Sequence, residues 1–171
     1  INMLEAARHA DAERFVFASS GGATFGDTFN IPTPETQPRK PESPYGVSKY
    51  VVEEYFRYYH EAYGLDYVSL GFSNVYGPRQ DPHGEAGVVA IFVGDLIAGR
   101  TPTIYGDGSQ TRDFVFVEDV TDAMYRGSRI GGSRYLNIGT GIETSVMKLY
   151  ETVVDVTGSD VAPIMAAARR G

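Results

Sequence analysis

Hydrophobic and polar positions change period repeatedly along this chain. Residues 15–19, 66–72, 103–105, 114–117 and 135–138 are short runs dominated by apolar and aromatic side chains, as expected of strands covered on both faces. Between them, at 2–12, 45–63, 88–99, 119–129 and 145–157, the spacing of apolar residues predicts helices. Gly64 and Gly99 stop two of these helices, and Asp119 reads as the cap of a third. Residues 27–44 are rich in proline and polar side chains and read as a loop. Strand and helix in alternation imply an α/β fold with a mainly parallel sheet. There is no internal repeat and no low-complexity tract.

The long helix at 45–63 has a legible start. Pro44 suits a first helical position, where its missing N–H would be unpaired anyway, and Ser43 is the natural N-cap before it. Residues four apart share a helix face, so Tyr45 and Lys49 in Tyr45-Gly46-Val47-Ser48-Lys49 can point into one cleft. A free tyrosine ionises near pH ~10. A neighbouring cation and a helix N-terminus both favour the phenolate, which makes such a tyrosine a candidate proton carrier. Taken alone, the pair reads equally as two amphipathic side chains on a solvated face.

Upstream, Arg14-Phe15-Val16-Phe17-Ala18-Ser19-Ser20-Gly21-Gly22 reads as a buried strand that ends in small hydroxyl residues and glycines. Ligands in open α/β sheets bind at the carboxyl ends of strands, where Ser20 would sit. Ser20 could there hydrogen-bond a substrate hydroxyl and the Tyr45 phenol, or act as a turn serine satisfying its own backbone.

Composition narrows the classes without choosing among them. A chain of 171 residues is long enough to bury a sizeable core. The net charge of −7 argues against a nucleic-acid surface, which needs a basic patch. The absence of cysteine removes disulfides and thiolate metal sites and is consistent with a reducing cytosol. No apolar run approaches the length of a membrane span. Asp81, His83 and Glu85 cluster in a Pro- and Gly-rich loop without the spacing of a helical metal pair, and there is no Gly-x-Ser-x-Gly elbow.

The segments 15–26 and 43–49 resemble the extended short-chain dehydrogenase/reductases that act on nucleotide sugars. Further matches follow in order: Ser73-Asn74-Val75-Tyr76-Gly77-Pro78-Arg79-Gln80, Tyr105-Gly106-Asp107-Gly108, Thr111-Arg112-Asp113-Phe114-Val115, Val117-Glu118-Asp119-Val120 and Tyr135-Leu136-Asn137-Ile138-Gly139-Thr140-Gly141. Each piece is unspecific alone, but their order and spacing resemble most the UDP-glucose 4-epimerases and their near relatives. The resemblance implies a Rossmann-like, doubly wound parallel sheet interleaved with a small α/β substrate domain. Residues 1–73 would be the second half of an NAD-binding domain. Residues 74–171 would bind mostly the nucleotide sugar, with a segment near 113–139 returning to the Rossmann sheet.

The same resemblance implies the roles. NAD stays bound and supplies the redox chemistry. Tyr45 takes the proton of the sugar 4-hydroxyl, Lys49 holds the nicotinamide ribose and favours the phenolate, and Ser20 hydrogen-bonds the same hydroxyl. A 4-keto sugar then turns over and is reduced on its other face. Ala18, Ser19, Phe72 and Ser73 match positions at the cofactor. Asn74 and Arg112 match positions at the diphosphate, and Tyr105 and Val88 positions near the uracil. From the bare residues, Arg112 reads instead as a surface ion-pair partner of Asp113 or Glu118. The family's helix 45–63, here with Tyr50, Tyr55, Phe56, Tyr58 and Tyr59, commonly joins a homodimer interface. The expectation is thus a cytoplasmic homodimeric enzyme with a UDP-sugar substrate and no nucleic-acid or membrane partner.

Relatives of this kind open with strand, Gly-x-x-Gly-x-x-Gly, helix. No such motif precedes Ser20, and Gly139-Thr140-Gly141 reads as a tight turn with a helix cap. The chain is thus expected to be a piece of a longer protein, inactive alone. Two residues depart from the pattern. Gly71 stands where relatives usually carry arginine, which would loosen that strand end, and Phe25 stands where a tyrosine near the sugar is frequent. Gly21 and Gly22 stand where nucleotide-sugar 4,6-dehydratases place an acidic pair, which disfavours dehydration. Epimerases of uronate or N-acetylhexosamine sugars, and a non-catalytic relative that binds NAD or nucleotide sugar, are the other readings.

Overall fold

A computed structural model describes residues 1–83 and 87–168. In chain order its elements are α1 (Asn2–His9), β1 (Arg14–Ser20), α2 (Gly21–Phe25), α3 (Pro44–Tyr63), β2 (Asp66–Phe72), β3 (Asn74–Tyr76), α4 (Val88–Ile97), β4 (Thr103–Tyr105), β5 (Thr111–Arg112), β6 (Phe114–Phe116), α5 (Val117–Gly127), β7 (Arg134–Ile138), β8 (Thr144–Ser145), α6 (Val146–Thr157) and β9 (Ile164–Ala166). They form two compact units, Ile1–Ser73 with Glu118–Gly141 and Asn74–Val117 with Ile142–Gly171.

The first unit is built on a parallel sheet in the order β1-β2-β7. Side chains alternate across it, as a two-residue period requires. Phe15 and Phe17 face α3 and pack against Phe56 in tilted pairs at ring-centroid distances of 5.2 Å each. Leu4, Phe56, Tyr59 and Leu65 form the centre of that core. On the opposite face Gly127 of α5 lies against Val16, Val68 and Leu70. Both faces are therefore covered, which explains the near-continuous apolar runs. The register pairs Ser20 with Phe72 and Phe72 with Ile138, so the three strands finish at one edge of the sheet.

Local chemistry explains α3. Pro44 begins it, the Ser43 hydroxyl accepts from the Gly46 N–H at 3.0 Å, and Gly64 ends it in the left-handed conformation with φ of 71°. The expected cap at Asp119 is corrected: α5 starts two residues earlier, leaving Asp119 in the acidic first turn, where a negative charge complements the helix N-terminus. The short α2 was not expected, because Gly21 and Gly22 are poor helix formers.

The second unit has its own core, with Phe92, Leu96, Ile104, Val146, Tyr150 and Val153 buried together. It carries the parallel pairs β3-β6 and β4-β9 and the antiparallel pair β5-β8. The strands β3, β5, β8 and β9, each two or three residues long, were not expected from the sequence. Where a tight turn is expected, Gly139-Thr140-Gly141 forms a bend, with Gly141 at φ of 73°. It does not cap the following helix; that cap is Ser145, whose hydroxyl accepts from the Lys148 N–H at 3.0 Å. Among the described residues no helix is long and apolar enough to cross a membrane. No cluster of metal-ligating side chains occurs among them either; Glu85 of the Asp81–His83–Glu85 group lies outside the described residues.

Candidate active site

Tyr45 and Lys49 lie in the first two turns of α3, beside the carboxyl end of β1. The Lys49 ammonium donates to the Ala18 carbonyl at 2.9 Å and stands 4.9 Å from the Phe17 ring centroid and 5.7 Å from that of Tyr45. Tyr45 is exposed, and its hydroxyl engages no hydrogen bond among the described residues. Ser20 ends β1, half-buried, with its carbonyl accepting from the Thr24 hydroxyl at 2.9 Å. The structure therefore collects Ser20, Tyr45 and Lys49 in the first unit, around the junction of β1, α2 and α3.

Close backbone approach sets that junction. A Cβ at position 46 would overlap the Ala23 carbonyl, so only glycine lets the first turn of α3 rest on α2. Tyr45 is adjacent to this contact, and Ala23 is three residues beyond Ser20.

The donor set suits a dinucleotide ribose. An ammonium has three N–H donors, and Lys49 directs one at Ala18. The Ser73 hydroxyl, just past the end of β2, is buried without a hydrogen-bond partner, as is Asn137 Oδ1 on β7. Phe72 is half-buried at the same sheet edge. Ser19, the last residue but one of β1, is buried. Its side chain turns inward and donates to Glu53 Oε1 at 2.8 Å, so the hydroxyl is not presented to a ligand.

The remaining candidates lie in the second unit. Asn74 opens β3 and is exposed, with its backbone N–H donating to the Asp113 carbonyl at 2.8 Å. Arg112, on β5, is exposed and its Nη1 donates to the Thr111 carbonyl at 2.7 Å. Tyr105 closes β4, and its carbonyl accepts from Gln110 Nε2 at 2.9 Å. Val88 begins α4.

Both departures from pattern have a packing origin. At Gly71 the space of a side chain is taken by the Tyr135 phenol, so this strand segment is filled, not loosened. Phe25, expected near a sugar, is 4% exposed and lies under the Arg39 guanidinium, 3.9 Å from its ring centroid. The same guanidinium lies 3.6 Å from the Tyr135 ring centroid. Arg39 and Glu53 were not singled out in the sequence, and Tyr135 entered only as part of the 135–141 segment. Glu53 alone carried a signal there, since it lies four residues past Lys49 on the same helix face.

Comparison with known proteins follows the same lines. The model of the NAD dependent epimerase/dehydratase family matches residues 1–139. A UDP-glucose 4-epimerase of Mycolicibacterium smegmatis is 47% identical over 172 aligned positions, covering 100% of this chain and 55% of that protein. A UDP-glucose 4-epimerase of Thermotoga maritima, crystallised with UDP-glucose, superposes with a TM-score of 0.96 at 43% identity, over 99% of this chain and 55% of the other. The Thermus thermophilus UDP-glucose 4-epimerase in complex with NAD gives a TM-score of 0.91 at 41% identity, over 99% of this chain and 56% of the other. The chain thus spans little more than half the length of these relatives, which are Rossmann-fold proteins like it.

Proposed function

The chain belongs to the NAD dependent epimerase/dehydratase family, and from that membership we propose that the full-length protein carrying it is an NAD-dependent epimerase acting at C4 of a UDP-hexose of the glucose/galactose type. The observation that carries the reading is the pairing of Tyr45 and Lys49 on one face of α3 beside the Ser20 end of β1, with Lys49 anchored on Ala18 at 2.9 Å.

NAD, when bound, accepts and returns the hydride. The chain's own residues handle binding and the proton. Lys49, anchored through one donor, has two left for ribose hydroxyls, and its ammonium stands 5.7 Å from the Tyr45 ring centroid. Tyr45 takes the proton of the sugar 4-hydroxyl as it becomes a ketone and gives it back as the hydroxyl re-forms with inverted configuration. Ser20 donates a hydrogen bond to the same oxygen. The Ala18, Ser19 and Phe72 backbone and the buried Ser73 hydroxyl line the cofactor's side.

In the second unit, the exposed Arg112 offers a bidentate, charge-assisted contact to a diphosphate, and Asn74 a neutral donor beside it in role. Tyr105 offers a ring face to the uracil and Val88 its backbone. Residues 1–73 with the return segment 118–141 act as the cofactor-binding part and the remainder as the nucleotide-sugar part. Two copies pair through the exposed stripe Val47, Val51, Tyr55 and Tyr58 of α3, and sedimentation of the full-length protein with Tyr58→Glu against wild type tests this. A cytoplasmic location belongs to the same reading, and the absence of cysteine from this chain is consistent with a reducing compartment.

The test is incubation of the full-length protein with UDP-galactose and with UDP-N-acetylgalactosamine, without added cofactor, followed by separation of products. Conversion to the gluco isomers supports 4-epimerisation and identifies the preferred sugar. A 4-keto-6-deoxy product would replace the reading with dehydration, although Gly21 and Gly22 offer no acid or base for that chemistry.

A further inference from the structure

Behind the candidate catalytic residues lies a charged cluster that the proposed chemistry does not use. The Arg39 and Glu53 side chains are only 11% and 12% exposed, and Arg39 Nη2 stands 3.7 Å from Glu53 Oε2. Arg39 comes from the loop before α3, and its guanidinium lies against the Phe25 and Tyr135 rings, 3.9 and 3.6 Å from their centroids. Glu53 comes from α3, one turn past Lys49.

Each member of the pair reaches a different side of Ser20. Glu53 Oε1 accepts from the Ser19 hydroxyl at 2.8 Å. Arg39 Nη1 donates to Thr24 Oγ1 at 3.2 Å, and that hydroxyl in turn donates to the Ser20 carbonyl at 2.9 Å. The residue before Ser20 and the carbonyl of Ser20 itself are therefore tied to one ion pair. One anchor of that pair sits on the helix that carries Tyr45 and Lys49.

Stability alone accounts poorly for this arrangement. Desolvating two charges costs about what their attraction returns, so buried ion pairs contribute little compared with well-packed apolar groups. Burial pushes the Glu53 carboxyl up from its ordinary range despite the neighbouring arginine and serine. What such a pair does provide is direction: a fixed guanidinium plane and two defined carboxylate oxygens hold their partners in one geometry.

We propose that Arg39 and Glu53 are positioning residues that hold Ser20 in register with the Tyr45–Lys49 face of α3 for proton transfer. The proposal rests on the epimerase reading above, in which Ser20 meets the reacting hydroxyl. A displacement of about an ångström at such a group costs roughly 10²-fold in rate.

The experiment measures kcat, KM and retained NAD of the full-length protein with its preferred UDP-hexose. The variants are Arg39→Met, Glu53→Gln, Ser19→Ala and Ser20→Ala, with each of the first three also made in the Ser20→Ala background. The expected result is a loss of kcat on the order of 10²-fold for Arg39→Met, with KM and retained NAD near wild type. That loss shrinks to about twofold or less once Ser20 is alanine, because residues acting through one group are not additive. Equal losses in both backgrounds, or none in either, would overturn the proposal. If Arg39→Met does not fold, Ser19→Ala decides in the same way, since it removes one hydroxyl and leaves the ion pair. Wild type without epimerase activity, or Ser20→Ala without effect, would instead remove the underlying reading.

Discussion

Gly71 and Tyr135 are fitted to each other across neighbouring strands: a Cβ at position 71 would overlap the Tyr135 phenol. The glycine is thus the condition for the ring's position, and the ring in turn forms one wall of the Arg39 seat. Gly71→Ala is expected to destabilise the full-length protein by about 1–3 kcal/mol, as overpacking of a filled core does. In a Tyr135→Ala background the same substitution should cost little, because its obstacle is gone. Urea unfolding of the four proteins of this cycle checks it.

Tyr45→Phe is expected to lower kcat roughly 10²–10⁴-fold, the range for loss of a proton-transferring side chain. Stability should stay within about 0.5 kcal/mol of wild type, because the exposed phenol supports no hydrogen bond among the described residues. Steady-state epimerisation alongside a melting curve separates the two effects. Unchanged activity would remove Tyr45 from the mechanism.

The Tyr59 hydroxyl donates to Glu5 Oε1 at 2.6 Å. That bond, followed by burial, pushes the Tyr59 phenol up to about 12 from the ordinary 10.0. The folded state therefore holds this proton more tightly than the unfolded state. Its contribution to stability is fully present below pH ~10 and is lost as pH rises towards ~12. Tyr59→Phe should lack that share of the alkaline loss. Unfolding midpoints measured from pH 9 to 12 for both proteins check the difference, and parallel curves would contradict it.

Phe56, 2% exposed, packs among Phe15, Phe17 and Tyr67 with centroid distances of 5.2, 5.2 and 5.3 Å. Phe56→Ala should cost about 3–5 kcal/mol, the sum of lost transfer energy and the cavity left between α3 and the sheet. Ser43→Ala, by contrast, removes only the cap of α3 and should cost about 1 kcal/mol. Chemical unfolding of the two variants ranks them directly.

What the sequence determined by itself is what neighbours in the chain can decide. The start of α3 follows from Ser43 and Pro44, its end from Gly64, and the shared face of Tyr45 and Lys49 from helical spacing. β2 was legible to the residue because its run follows the Gly64 stop and ends at the polar Ser73-Asn74. The tertiary structure alone decided which glycine is needed for which neighbour, and where the buried charges go. Gly71 read as a loosening, but Tyr135, far along the chain, fills its space. Whether the Ser19 hydroxyl faces outward or inward was not legible either; Glu53 turns it inward. Arg39 lies in a loop with no periodic signal, and only the assembled sheet brings the Phe25 and Tyr135 rings against it. The physical reason is range. Caps, turns and helix faces depend on backbone groups within about four residues, whereas packing and desolvation depend on atoms that become neighbours only after folding.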